Sequence, residues 1–208
     1  MPLINPAWTG AAASERPFRW LRTEPGVLFD EADAARLSRE FPTQSFVRRE
    51  VDTPGSAKTY RNYSRALVGP DVPAGAPPLP EIWQRLVAEL LDDGYRDAVA
   101  KILGQPPAAQ LEIRLARHGR TDWLSPHTDR PDKAFSHLIY LNPQWHEEWG
   151  GCLQILASAD PADVVAQVVP RLGVSALFER TDYSWHQVSA VAAAAPSDRI
   201  SLLIHGRV

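Results

Sequence analysis

The sequence is poor in cysteine, with Cys152 alone among 208 residues. A single thiol excludes an intramolecular disulfide and any multi-cysteine zinc site, and it suits a reducing, cytoplasmic setting. A basic excess is also missing. Lys and Arg number 22 against 25 Asp and Glu, leaving a net charge of −3, so a nucleic-acid partner is not expected. No apolar run approaches the roughly 18 residues that would suggest a membrane span. The opening residues MPLINPAWTG lack a basic region followed by an apolar stretch, so neither a signal peptide nor a membrane partner is expected. There is no internal repeat. The length allows one domain with a full hydrophobic core. Residues 1–208 read as that single domain, with 1–109 as an N-terminal arm plus supporting helices and 110–208 as a β-rich core. Nothing in the composition fixes the oligomeric state.

What is present changes character along the chain. The first twenty-five residues are mixed and small and read as an extended arm. Glu31–Phe41 carries apolar residues at helical spacing, with Asp30 as N-cap and Pro42 as stop. Residues 42–78 are rich in Pro, Gly and Ser around Tyr60-Arg61-Asn62-Tyr63 and read as a long irregular, functional loop. Leu79–Leu103 reads as one or two helices interrupted near Gly94. From residue 110 the period shortens. Leu111, Ile113 and Leu115 alternate with Glu112, Arg114 and Ala116, and short apolar runs then recur up to Ile200–His205. Helices first and many short strands after predict a mainly β, α+β fold, a sandwich or barrel buttressed by helices.

Against that frame stand His127-Thr128-Asp129, His186 and Arg199. His127 and Asp129 lie two apart, which on a strand puts both side chains on one face. Pro126 and Arg130-Pro131 mark the strand opening into a loop, and His186 starts another predicted strand. Two histidines and a carboxylate on one side of a metal leave the opposite positions open to a bidentate keto-acid and dioxygen. The set suits Fe(II), while imidazole suits zinc as well. On the last strand Arg199, Ser201, Leu203 and His205 share a face. An Arg and a Ser two apart can grip a carboxylate at two points. His205 is either a core histidine or a substrate contact.

These residues resemble the 2-oxoglutarate/Fe(II)-dependent dioxygenases, in particular the prolyl-hydroxylase-like branch. The anchors run from about residue 110 to the end: His127-Thr128-Asp129, Tyr140-Leu141-Asn142 with Trp145, Gly150-Gly151-Cys152-Leu153, Ala176-Leu177-Phe178, Ser184-Trp185-His186-Gln187-Val188 and Arg199-Ile200-Ser201. The resemblance implies a double-stranded β-helix, or jelly-roll, core. It implies an enzyme using Fe(II), 2-oxoglutarate and O2, with His127, Asp129 and His186 as metal ligands. Arg199 would bind the far carboxylate of 2-oxoglutarate, Ser201 would assist, and Leu153 would pack on its methylenes. The carboxylate of Asp129 implies hydroxylation or desaturation rather than halogenation. Relatives place a site tyrosine on the strand ending in Tyr-Leu-Asn. Aligned there, strand parity makes Ile139 the pocket-facing residue and leaves Tyr140 a core tyrosine.

The substrate is less legible. Arg117, His118, Trp123 and Arg130 near the metal motif, with Tyr60, Arg61 and Tyr63 upstream, are expected at the mouth, and His205 on the Arg199 face. As a group they suggest a small polar or anionic molecule, such as an amino acid or natural-product intermediate. A peptidyl, prolyl-type hydroxylase is the alternative. A metal-binding jelly-roll that is not an oxygenase is a third reading, and it has no use for Arg199 in a pocket.

Overall fold

The computed structural model describes residues 1–53 and 55–208. Its elements run β1 (Trp20–Thr23), α1 (Glu31–Arg39), β2 (Val47–Val51), β3 (Tyr60–Val68), α2 (Glu81–Leu91), α3 (Asp93–Leu103), β4 (Gln110–His118), β5 (Leu124–His127), β6 (Lys133–Tyr140), β7 (Leu153–Leu156), β8 (Val164–Val168), β9 (Ser175–Glu179), β10 (His186–Val188) and β11 (Arg199–Arg207). The strands follow one hydrogen-bonded path, β1-β9-β6-β11-β4-β3-β5-β10-β7-β8, with β2 beside β3. All these strand pairings are antiparallel. The path rolls into a nearly closed barrel, the double-stranded β-helix. No helix among the described residues is long and apolar enough to cross a membrane.

The helices cover one outer face. Asp30 caps α1, its carboxylate accepting from the Asp33 amide at 2.7 Å. The break in the second helical stretch falls at Asp92, which closes α2 and caps α3 through the Gly94 amide. Leu37, Trp83, Leu86, Leu90, Val99 and Leu103 from the helices bury against Ile113, Leu115, Ile139, Leu202 and Ile204. A second cluster inside the barrel holds Leu138, Tyr140, Leu153, Ile155 and Phe178. Each central strand therefore serves two faces, and the residues between its apolar positions point at the barrel's interior.

Two expectations are corrected here. The first twenty-five residues are no free arm: Leu3 and Trp8 are buried in the helix-side core, and β1 pairs with β9. The 42–78 stretch holds a β2–β3 hairpin, with β3 between β4 and β5. Its polar sequence hides it, because one face of β3 lines the interior cavity and few apolar residues mark the period. Residues 1–109 thus contribute three strands to the sheet as well as helices.

One core contact makes a stability prediction. His137 is fully buried against the helices, its Nδ1 2.8 Å from Tyr95 Oη and its Nε2 3.0 Å from Ser175 Oγ. Burial pulls its pKa down to about 3. The unfolded chain takes up a proton near pH 6.5 that the folded one refuses. The contribution is whole above pH 6.5 and drains as pH falls towards 3, at up to about 1.4 kcal/mol per pH unit. Urea unfolding of the metal-free protein at pH 6 and pH 5 should show lower stability at pH 5, and a shallower loss in His137→Gln. An unchanged slope in that variant would refute the assignment.

Candidate active site

The barrel encloses a cavity of about 540 Å³, within the usual range of small-ligand sites. His127 ends β5, Asp129 follows in the next turn and His186 opens β10, directly opposite His127 in register. The three offer ligand atoms that all lie within 4.8 Å of one another, and all three are buried. His127 Nδ1 lies 3.0 Å from the Ser125 carbonyl and His186 Nδ1 2.9 Å from the Ser184 carbonyl. A carbonyl only accepts, so each Nδ1 carries the proton and each Nε2 keeps a free lone pair, the tautomer a metal needs. Burial holds both imidazoles below their ordinary pKa, and so neutral.

Asp129 is held from behind. Its Oδ1 accepts from Lys133 Nζ at 2.6 Å and its Oδ2 from Ser136 Oγ at 2.5 Å. His205 closes the ring, with Nε2 3.1 Å from Lys133 Nζ and Nδ1 2.7 Å from Ser136 Oγ. Lys133 can only donate, so His205 accepts at Nε2 and donates from Nδ1. Burial pushes the Asp129 carboxyl up, but Lys133, His186, His205 and His127 together outweigh it and hold the group well below the usual carboxylate range.

Arg199, 1% exposed, sits at the other end of the cavity. Its Nε donates to the Gly151 carbonyl at 2.7 Å, and its Nη1 lies 3.3 Å from His118 Nδ1 and 3.4 Å from Ser201 Oγ. Gly151 must be glycine there. Its φ is +65°, and a Cβ would stand 3.0 Å from Arg199 Cδ. His118 Nδ1 accepts from Arg199, so its proton sits on Nε2. Arg199 Nη2, His118 Nε2 and Tyr140 Oη are all buried without a partner. Burial drives the Tyr140 phenol up to about 12 and His118 well below its ordinary value, so both are neutral donors. Arg199 Cζ lies 5.0 Å from the Tyr140 ring centroid. Orphaned buried donors clustered on a guanidinium fit a bound carboxylate.

The placement of Tyr140 reverses the parity expected for it. Ser201, Leu203 and His205 pair in register with Tyr140, Leu138 and Ser136, all on the inner face. Ile139 faces the helices. Counting from the β11 partner, rather than from the end of the strand, would have found it.

Leu153 and Ser201 line the cavity with Arg199. Of the residues expected to meet substrate, Arg130 and His205 line it too, as do Tyr60 and His118, although both His205 nitrogens are engaged by Lys133 and Ser136. Arg117, Trp123, Arg61 and Tyr63 do not. β3 turns Tyr60, Asn62 and Ser64 inward, so Arg61 and Tyr63 point away. Arg117 pairs with Tyr63, lies 2.5 Å from Asp198 and covers the Phe46 ring. Trp123 bonds Thr59 Oγ1 and carries Arg61 on its face. Lys58, Arg114, Lys133 and Ser136 line the cavity without having been singled out. Only the β4 alternation hinted at Arg114.

Residues 113–205 match the sequence model of the 2OG-Fe(II) oxygenase superfamily. That segment, which holds the triad and Arg199, is similar to a 2OG-Fe(II) oxygenase domain, and the cofactors of that superfamily are Fe(II), 2-oxoglutarate and O2. The chain is 30% identical over 111 residues to prolyl 3-hydroxylase OGFOD1 of Xenopus laevis, covering 51% of this chain but 22% of that relative, so it spans about a fifth of that protein. The fold is shared with a Pseudomonas putida prolyl-4-hydroxylase, with TM-score 0.64, 21% identity and 90% and 91% of the two chains covered. It is also shared with a Trichoplax adhaerens prolyl hydroxylase solved with a hypoxia inducible factor peptide fragment, at TM-score 0.62, 14% identity and 90% and 83% coverage. The relatives it is similar to here are thus prolyl hydroxylases.

Proposed function

We propose that this chain is an Fe(II)- and 2-oxoglutarate-dependent oxygenase that hydroxylates an unactivated C–H bond of a small polar substrate. One observation carries the reading: the His127–Asp129–His186 cluster and the unpartnered donors around Arg199 face the same cavity. His127, Asp129 and His186 would hold the metal through two imidazole Nε2 atoms and a carboxylate oxygen. Arg199, with Tyr140 Oη and Ser201 beside it, would take the far carboxylate of 2-oxoglutarate, and Leu153 would cover its methylenes. Bound together, metal and keto-acid supply the chemistry by which O2 is divided between succinate, formed with loss of CO2, and the new hydroxyl. Lys133 and Ser136 keep the Asp129 carboxylate oriented throughout, and Leu138, Phe178 and Leu203 line the cavity with apolar surface that excludes water.

A second reading, hydroxylation of a peptidyl prolyl residue, is favoured by the named activity of the Xenopus relative. A metal-binding jelly-roll without oxygenase activity leaves the orphaned donors unexplained.

Succinate formation from 2-oxoglutarate by the Fe(II)-loaded protein, against His127→Ala, tests the proposal. Turnover should be present in the parent and lost in the variant, which keeps one imidazole and the carboxylate and so no longer offers the three-ligand set. No succinate together with no binding of 2-oxoglutarate would overturn it.

A further inference from the structure

We propose that the substrate of this site carries a carboxylate or equivalent anion, and that Lys58 and Arg114 receive it. The inference rests on the oxygenase reading and names what the open side of the cavity is built to hold.

Most cations lining the cavity already have a carboxylate. Lys133 is on Asp129, Arg49 on Asp71 at 3.2 Å, Arg130 on Asp132 at 3.3 Å, and Arg207 on Glu112 and Asp132. Arg199 stands apart, with the keto-acid to bind. Two remain under-satisfied. Lys58 makes no ion pair among the described residues, and its Nζ lies 5.7 Å from the Tyr60 ring centroid. Arg114 has a carboxylate as Arg130 does, Glu112 at 3.3 Å and shared with Arg207, but its Nε is buried without a partner.

Both line the cavity that holds the metal ligands. The Thr59 amide donates to Ser125 Oγ at 2.8 Å and the Ser125 amide to the Thr59 carbonyl at 2.9 Å. The Ser125 carbonyl in turn accepts a hydrogen bond from His127 Nδ1. Lys58 is thus one residue from a backbone seam that ends on a metal ligand. Along the β4–β11 ladder Arg199 faces His118 at one end and His205 faces Glu112 two pairs short of the other. Arg114, opposite Leu203, lies towards the His205 end, away from the keto-acid fork. Burial lowers the Lys58 pKa, Asp129 offsets part of that, and Arg130 and Arg114 lower it further.

An ammonium and a guanidinium lining one cavity suit a carboxylate, the fork giving direction and the point charge adding attraction. A neutral substrate filling the cavity would strip water from both and return nothing. The anion can belong to a free carboxylic acid or to an acidic residue of a peptide.

Calorimetry on the Mn(II)-loaded, 2-oxoglutarate-saturated protein separates the cases. N-acetyl-L-proline is titrated against its carboxamide, and an acetylated Pro-Asp peptide amide against the Pro-Asn version. The acidic member of at least one pair should bind about tenfold or more tighter, the scale of a partly buried charge contact. The free-acid pair would identify a small molecule, the Asp peptide an acidic peptide. Lys58→Met should collapse the ratio, and Lys58→Arg should keep it. Equal binding within both pairs, no binding in either, or a preference that survives both Lys58→Met and Arg114→Gln would overturn the inference. Succinate formation by the wild-type protein is read separately. If it occurs without an acid preference, the oxygenase reading stands and this one falls.

Discussion

Replacing Asp129 with alanine is expected to abolish 2-oxoglutarate turnover and to destabilise the metal-free protein by about 3–5 kcal/mol, the range for breaking a buried ion pair from one side. The two losses have different causes. Turnover fails because the cluster keeps two imidazoles and no carboxylate. Stability fails because the Lys133 ammonium, 9% exposed, loses the oxygen 2.6 Å away, and Ser136 and His205 lose the acceptor that orders their protons. His127→Ala separates the effects. His127 packs on the His186 ring and hydrogen-bonds through Nδ1 to the neutral Ser125 carbonyl, so that variant breaks no ion pair and should lose turnover while unfolding in urea much closer to the parent. Equal urea midpoints for the two metal-free variants would mean that Lys133 does not depend on Asp129.

Arg199→Ala should weaken 2-oxoglutarate binding roughly 30- to 5,000-fold, the 2–5 kcal/mol of a truncated, buried, charge-assisted contact expressed as affinity. Arg199→Lys should recover little, because an ammonium cannot keep the Gly151 carbonyl, His118 and Ser201 while also presenting a fork. Tyr140→Phe removes one neutral donor from the same cluster and should cost about ten- to a hundredfold, the 1.5–3 kcal/mol of a hydrogen bond to a charged group. Calorimetric titration of the Mn(II)-loaded proteins with 2-oxoglutarate reads all three. An Arg199→Ala protein that binds with parent affinity would remove the carboxylate fork from the proposal.

The legible parts of the sequence were those governed by a short period or by fixed spacing. Leu111, Ile113 and Leu115 on β4 and Ile200, Leu202 and Ile204 on β11 alternate with inward residues, so the strands and the inward face of Arg199 followed from parity. The strand β3 did not follow, because Tyr60-Arg61-Asn62-Tyr63 puts polar groups on both faces, one turned to the cavity and the other to Arg117 and Trp123. Arg61 and Tyr63 looked like site residues for the same reason. Position, not residue type, decides which side of a strand meets substrate, and parity needs a registered partner to anchor it. Tyr140 was misplaced for want of that partner. Lys133 and Lys58 belong to the site through a turn and through a seam between distant strands, neither of which leaves a local pattern.

The glycine pair before β7 has a metric consequence. Gly150 cannot carry a side chain, since a Cβ would fall 2.1 Å from the Ala190 carbonyl oxygen, and Gly151 holds Arg199 by its own backbone. The guanidinium is therefore pinned to the frame instead of swinging on a flexible stem. With the His127–Asp129–His186 cluster equally fixed by β5 and β10, the span between them is a ruler cut into the barrel. On the proposed reading it would select keto-acids by chain length, so a mutation that lengthened or shortened that span would retune which diacid fits without touching any atom that bonds to it.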